Sequence, residues 1–189
     1  MLFRSGGGKT LAGFLPTLVE LAGERARAAP LARRTAATSP HRHQAGGLHT
    51  LYISPLKALA VDIARNLETP IREMALPIRV ETRTGDTPAS KRQRQRRDPP
   101  DILLTTPEQL ALLLASADSR FLFGNLRRIV LDELHALVTS KRGDLLALGL
   151  ARLFRIAPEL TVTGLSATVA EPGDLCRFLV PQPEEGIGR

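Results

Sequence analysis

"IVLDELH", residues 129–135, decides the fold. Ile129, Val130 and Leu131 form a short apolar run with β-branched residues, the mark of a strand buried on both faces. The run stops at two adjacent acids, Asp132 and Glu133, with His135 just beyond. In an open parallel sheet, chemistry gathers at the carboxyl ends of the strands, so carboxylates delivered there are candidates for function. The strand is expected over 127–133.

Working outward, the same unit recurs: a buried strand, a polar end, then a helix. "LHTLYIS" (48–54) reads as a strand closed by Pro55, and the stretch after it reads as a helix broken near Pro70. "IRVETRT" (78–84) alternates like a strand exposed on one face, and Gly85-Asp86 turns the chain. Pro88 then opens a basic helix through Arg97. "DILLTT" (101–106) is followed by the helical "PEQLALLLAS", a further helix covers 143–157, and "LTVTGLSAT" with "PGDLCRFL" completes the series. Strands alternating with helices predict an α/β fold, a parallel sheet covered by helices on both faces.

The amino terminus carries the second decisive stretch, Gly6-Gly7-Gly8-Lys9-Thr10. The strict phosphate-loop pattern G-x-x-x-x-G-K-[ST] needs a glycine where Phe3 stands. The rest is physically apt. Three glycines let successive N–H groups curl around a phosphate, and a helix N-terminus adds a favourable field. Lys9 would reach the β- and γ-phosphates of a nucleotide, and the Thr10 hydroxyl would hold Mg²⁺. Asp132 would orient the same Mg²⁺ and Glu133 would polarise the attacking water. The helix after the loop is expected over 10–23, with Leu11, Phe14, Leu15, Leu18, Val19 and Ala22 on one face and a kink or early stop at Pro16. Only Met1-Leu2-Phe3 precede the loop, so the strand that normally feeds it is expected to be missing. Residues 25–47, rich in Arg, Ala, Pro and Thr, are expected to form a flexible loop.

Two more strand ends offer hydroxyls and helix termini suited to phosphodiester oxygens. One holds Ser54, Pro55, Leu56 and Lys57; the other holds Thr105, Thr106, Pro107 and Glu108. "LSAT" (165–168) places Ser166 and Thr168 at the last strand end, near the acids. The basic run "KRQRQRRD" (91–98) either tracks a nucleic-acid backbone or is the solvated face of a surface helix.

The 189 residues suffice for one domain with a core. A net charge of +7, from 26 Lys and Arg against 19 Asp and Glu, favours polyanionic partners without naming one. Four histidines and one cysteine do not compose a zinc site. With no bilayer-length apolar run and no signal peptide, the expected location is the cytoplasm.

In order, GGGKT, SPLKALAVD, TGDT, TTPEQL, DELH and SAT resemble the first RecA-like domain of a superfamily 2 DExH-box helicase. More narrowly, they resemble the large helicase-related (Lhr) proteins and their bacterial ligase-associated branch. The likeness runs from Ser5 to about Pro181. It implies a P-loop NTPase fold, ATP and Mg²⁺ as cofactors, and DNA, single-stranded or as a 3′-tailed duplex, as partner. Gly6, Gly7, Gly8, Lys9 and Thr10 would bind ATP; Thr10 and Asp132 would serve Mg²⁺, and Glu133 the hydrolytic water. His135, Ser166 and Thr168 would couple nucleotide state to a second motor domain. Pro55, Leu56, Lys57, the Thr84-Gly85-Asp86 turn, Thr106, Pro107 and Glu108 would lie along the DNA strand. The resemblance also implies a link to DNA repair.

The departures are an Arg4-Ser5 before the loop, where the family has other residues, and the lack of a second RecA-like domain with its arginines. Residues 1–189 are therefore expected to be a partial first RecA-like domain, begun late and ended early. Its unwinding would require a second domain, supplied by a second chain if not by this one. The alternatives are a non-catalytic nucleic-acid-binding or regulatory remnant, and a small-molecule P-loop enzyme, for which no acceptor lid is visible.

Overall fold

The computed structural model describes residues 2–3, 9–32, 47–167 and 172–181. Six strands form one parallel sheet: β1 (Leu2–Phe3), β2 (Thr50–Ile53), β3 (Val80–Arg83), β4 (Ile102–Thr105), β5 (Arg128–Leu131) and β6 (Thr161–Leu165). Their order across the sheet is β1-β6-β5-β2-β4-β3. The central strands β2, β4 and β5 are mostly apolar because both of their faces are covered. Tyr52 on β2 stands opposite Val130 on β5 and Leu104 on β4.

One face carries α1 (Lys9–Ala32) and α2 (Lys57–Glu73). There Phe14, Leu18, Leu67 and Ile71 pack on Tyr52, Leu104, Val130 and Leu165. The other face carries α4 (Pro107–Leu114), α5 (Ser119–Phe123), α6 (Leu134–Val138), α7 (Lys141–Ile156) and α8 (Pro172–Phe178). Leu51, Ile53, Leu103, Ile129 and Leu131 meet Leu110, Phe123, Leu146 and Leu150 on that side. The α6–α7 corner closes tightly at Gly143, where a Cβ would stand 2.7 Å from the Leu137 carbonyl oxygen. The basic helix α3 (Ala89–Arg97) crosses the edge strand β3, with Gln95 buried and bonded to Glu81 and to the Thr82 carbonyl.

Four sequence expectations are corrected. A strand does precede the expected phosphate loop: Leu2 and Phe3 pair in parallel with Gly164 and Leu165, extending the ladder on the open side of β6. The first helix does not stop near residue 23 but runs to Ala32. The Ala, Arg and Glu residues there are good helix formers, and Arg25 is tethered to Asp101 at 2.6 Å. Of the proposed loop, residues 33–46 lie outside the described residues. The helices also pass through Pro16 and Pro70. Pro16 faces solvent, where water can satisfy the Ala12 carbonyl it leaves unbonded. Pro70 lies three residues from the end of α2, where little helix remains to break. Finally, the buried stripe of α1 runs through Phe14, Thr17, Leu18 and Leu21, whereas Leu15 and Val19 are exposed.

Candidate functional site

The helix α1 crosses the sheet from its carboxyl rim to its amino rim. Gly13 lies against Leu165 and Val130, while further along Thr17 bonds Thr50 at 3.1 Å and Glu20 pairs with Arg128. The amino end of α1, with Lys9 and Thr10, therefore stands at the rim where β2, β5 and β6 end. Gly6, Gly7, Gly8 and Thr168 lie outside the described residues.

Asp132 follows β5 directly, and its N–H donates to the Ile53 carbonyl at 2.9 Å, so backbone pairing with β2 extends one residue past the strand. Both carboxylate oxygens are held. Oδ1 accepts the Glu133 N–H at 2.9 Å, and Oδ2 accepts the hydroxyl of Tyr52, a fully buried residue. Burial and the neighbouring Asp132 charge push the Tyr52 phenol far above its ordinary pKa, so it remains a donor. Sequence reading missed Tyr52. It looks like one more apolar strand residue until β5 is known to lie beside β2.

Glu133 sits at φ 47°, a left-handed conformation uncommon for a residue with a Cβ. That single step turns the chain from β5 into α6, and the Glu133 carbonyl accepts the Ala136 N–H at 2.8 Å. His135 on α6 then bridges two strand ends. Its Nδ1 lies 3.1 Å from Ser166 Oγ and accepts the Ala167 N–H at 3.4 Å. A backbone N–H can only donate, so the neutral ring carries its proton on Nε2, which faces Glu133 Oε2 at 3.3 Å. Glu133, His135 and Ser166 form one continuous polar contact.

The other candidates lie along the same rim, in strand order. After β2, Pro55 is half-buried and Leu56 and Lys57 are exposed; Lys57 pairs with Asp86 at 2.6 Å, joining this loop to the turn after β3. That turn is locked by the Thr84 N–H donating to Thr87 Oγ1 at 2.9 Å, leaving Gly85 and Asp86 exposed. Arg92 of α3 donates to the Gly85 and Thr87 carbonyls, a role for the basic run that is neither of the two expected. Thr106 and Pro107 are buried, and Glu108 pairs with Arg142 Nε at 2.7 Å. Arg142 also donates to the Pro55 carbonyl at 2.9 Å, clamping the β2 and β4 loops together. It too escaped sequence reading, because it lies ten residues past the acids. A surface cavity of about 670 Å³ lies between Pro55, Leu56, Glu133 and Arg142.

The rim thus divides in two. Paired acids and the His135 imidazole stand at β5 and β6; exposed loops with hydroxyls, N–H groups and a lysine stand at β2, β4 and β3. The DEAD/DEAH box helicase profile matches residues 2–175, across both halves. The chain belongs to the DEAD/DEAH box helicase family.

Among relatives of this helicase domain, the Lhr helicase/probable uracil glycosylase of Mycolicibacterium smegmatis is 42% identical over 94% of the chain and 11% of its own length. An ATP-dependent helicase Lhr-Core of Methanothermobacter thermautotrophicus is 40% identical over 93% of the chain and 20% of its own length. A structure of the Mycobacterium smegmatis helicase Lhr bound to ssDNA and AMP-PNP superposes with a TM-score of 0.76 at 40% identity, covering 95% of this chain and 22% of that one. The DEAD-box helicase Mss116 shares the fold, with a TM-score of 0.76 at 18% identity. The chain therefore spans about a tenth to a fifth of the length of these curated relatives. Among the described residues, no helix is long and apolar enough to cross a membrane.

Proposed function

We propose that this chain is a partial first RecA-like domain of an Lhr-type motor, which binds ATP–Mg²⁺ and tracks single-stranded DNA. It would unwind duplexes when joined by a second RecA-like domain, on a second chain if not on its own. The observation that carries this reading is the placement of Asp132 and Glu133 at the rim where α1, the helix that begins at Lys9, has its amino end.

The donor set fits Mg²⁺. Among the described residues, His, Cys, Asp and Glu nowhere gather in threes around a metal-sized space. One oriented carboxylate is what Mg²⁺ uses when phosphates and waters supply its other ligands. When bound, Mg²⁺ would neutralise charge on the phosphates. Lys9 and the loop glycines Gly6 to Gly8 would hold those phosphates, with Thr10 and Asp132 as the metal's protein ligands. Glu133 would take the proton of the attacking water, and its contact with His135 Nε2 would pass its state to Ser166 and Thr168 at the end of β6. Pro55, Leu56, Lys57, Thr84, Gly85, Asp86, Thr106, Pro107 and Glu108 would line the strand's sugar-phosphate path. This half of the rim has no element that enters a groove to read bases, which suits sequence-independent tracking.

The test is calorimetric titration of the chain with AMP-PNP and Mg²⁺, beside the Lys9→Ala variant, with circular dichroism to establish folding. Saturable binding that the variant loses is expected. A folded chain that binds single-stranded DNA but no nucleotide would overturn the motor reading in favour of a non-catalytic DNA-binding remnant.

A further inference from the structure

Tyr52 is a tyrosine where a phenylalanine would pack equally well. Its ring lies wholly inside the apolar layer between the sheet and α1, stacked on Phe14 with centroids 5.5 Å apart and planes 28° from parallel. Carrying a hydroxyl into that layer is costly unless the group is bonded. It donates to Asp132 Oδ2. The contact follows from the register. Tyr52 faces Val130, and Asp132, two residues further on, returns to the same face of the sheet within reach of a long side chain. On the other side, Phe14 lies one helical turn beyond Thr10 on α1.

We infer that Tyr52 is a positioning residue that fixes the distance between the two Mg²⁺ ligands, Asp132 and Thr10, by bonding the first and bracing the helix that carries the second. The inference rests on the nucleotide reading above. The tyrosine touches neither metal nor nucleotide. It acts as a strut, its hydroxyl end on the carboxylate and its ring face on α1. Groups that orient a metal ligand in this way typically set metal affinity by about tenfold or more.

The experiment measures AMP-PNP affinity by calorimetry over a range of free Mg²⁺, and in EDTA, for the parent chain and Tyr52→Phe. The variant keeps the ring and removes only the hydroxyl. The Mg²⁺ concentration giving half of the metal-dependent gain in affinity is expected to rise about tenfold, while affinity in EDTA stays within about twofold, which lost packing alone would not produce. In an Asp132→Asn background the same substitution is expected to add nothing, since both changes act through one carboxylate. An unchanged Mg²⁺ midpoint in folded Tyr52→Phe, or an equal shift in the Asp132→Asn background, overturns the assignment. Phe14→Leu keeps the hydroxyl and frees the ring. A midpoint raised by about twofold to tenfold, the worth of an aromatic pair, supports the strut even if Tyr52→Phe does not fold, and an unmoved midpoint refutes the bracing. If the parent chain binds AMP-PNP without any Mg²⁺ dependence, or not at all, the nucleotide reading fails first and the role of Tyr52 with it.

Discussion

His49 is buried just before β2, its Nδ1 2.8 Å from Thr50 Oγ1 and its Nε2 3.6 Å from Glu20 Oε2. Burial holds its pKa below the ordinary 6.5, despite the raising influence of Glu24 and Glu20. In the fold the ring stays neutral where the unfolded chain has already taken up a proton. Between the depressed value and 6.5 the unfolded state therefore binds more protons, and stability rises with pH there. The contribution is complete above 6.5 and is lost as pH falls below it. Thermal melts at about pH 7.5 and about pH 5.5 are expected to show a lower Tm at the acid value, and His49→Gln is expected to flatten that difference. Glu20 acts in a separate window. Its hydrogen bond from Arg128 lowers its pKa from 4.5, so its share is present above that value and lost only on further acidification.

At the scale of elements, the turn from Thr84 to Thr87 separates folding from binding. It is held by its own threonines and by Arg92, and Gly85 at its tip has no atom within 4 Å of a would-be Cβ and no positive φ. Neither strain nor crowding explains a glycine there; the close approach of a bound backbone would. Gly85→Ala is expected to leave Tm within about 2 °C and to weaken binding of a labelled oligothymidine several-fold, measured by fluorescence anisotropy. Equal affinity would remove this turn from the DNA path. The strands were legible because β-branched and leucine runs stop abruptly at polar residues, and that is also why Asp132, Glu133 and the loop residues could be named as candidates. The length of α1 was not legible, because Ala, Arg and Glu favour a helix while the scattered prolines suit a loop, and the Arg25–Asp101 pair that adds to the helix lies across the fold. α5 and α6, five residues each, are too short to show a period. Tyr52 and Arg142 act across elements, through Asp132, Glu108 and Pro55, partners far away in the chain that only the tertiary arrangement brings near.

For the whole molecule, the net charge of +7 matters less than where it is free to act. Arg79, Arg94, Arg127 and Arg128 are engaged with carboxylates along the strands and α3, and Arg92 with backbone carbonyls. On the rim, Lys57 is exposed and its Asp86 partner is exposed too, an ion pair weak enough to yield to a phosphate. Single-stranded DNA affinity is expected to fall as salt rises, with a log–log slope of about −0.7 for each phosphate neutralised. Lys57→Ala should reduce the slope by about that much. An unaltered slope would show that the lysine keeps to Asp86 when DNA is bound.

The pairing of β1 with β6 ties Leu2 and Phe3 to residues made some 160 positions later. A ribosome adding about 5–20 residues each second needs roughly 8–30 seconds to cover that distance. Until Gly164 and Leu165 emerge, the segment bearing Lys9 has no sheet edge to join, and the face of α1 around Phe14 lacks part of its cover. The end of the domain that carries Lys9 is thus synthesised well before the strand that anchors it, and its assembly waits on β6.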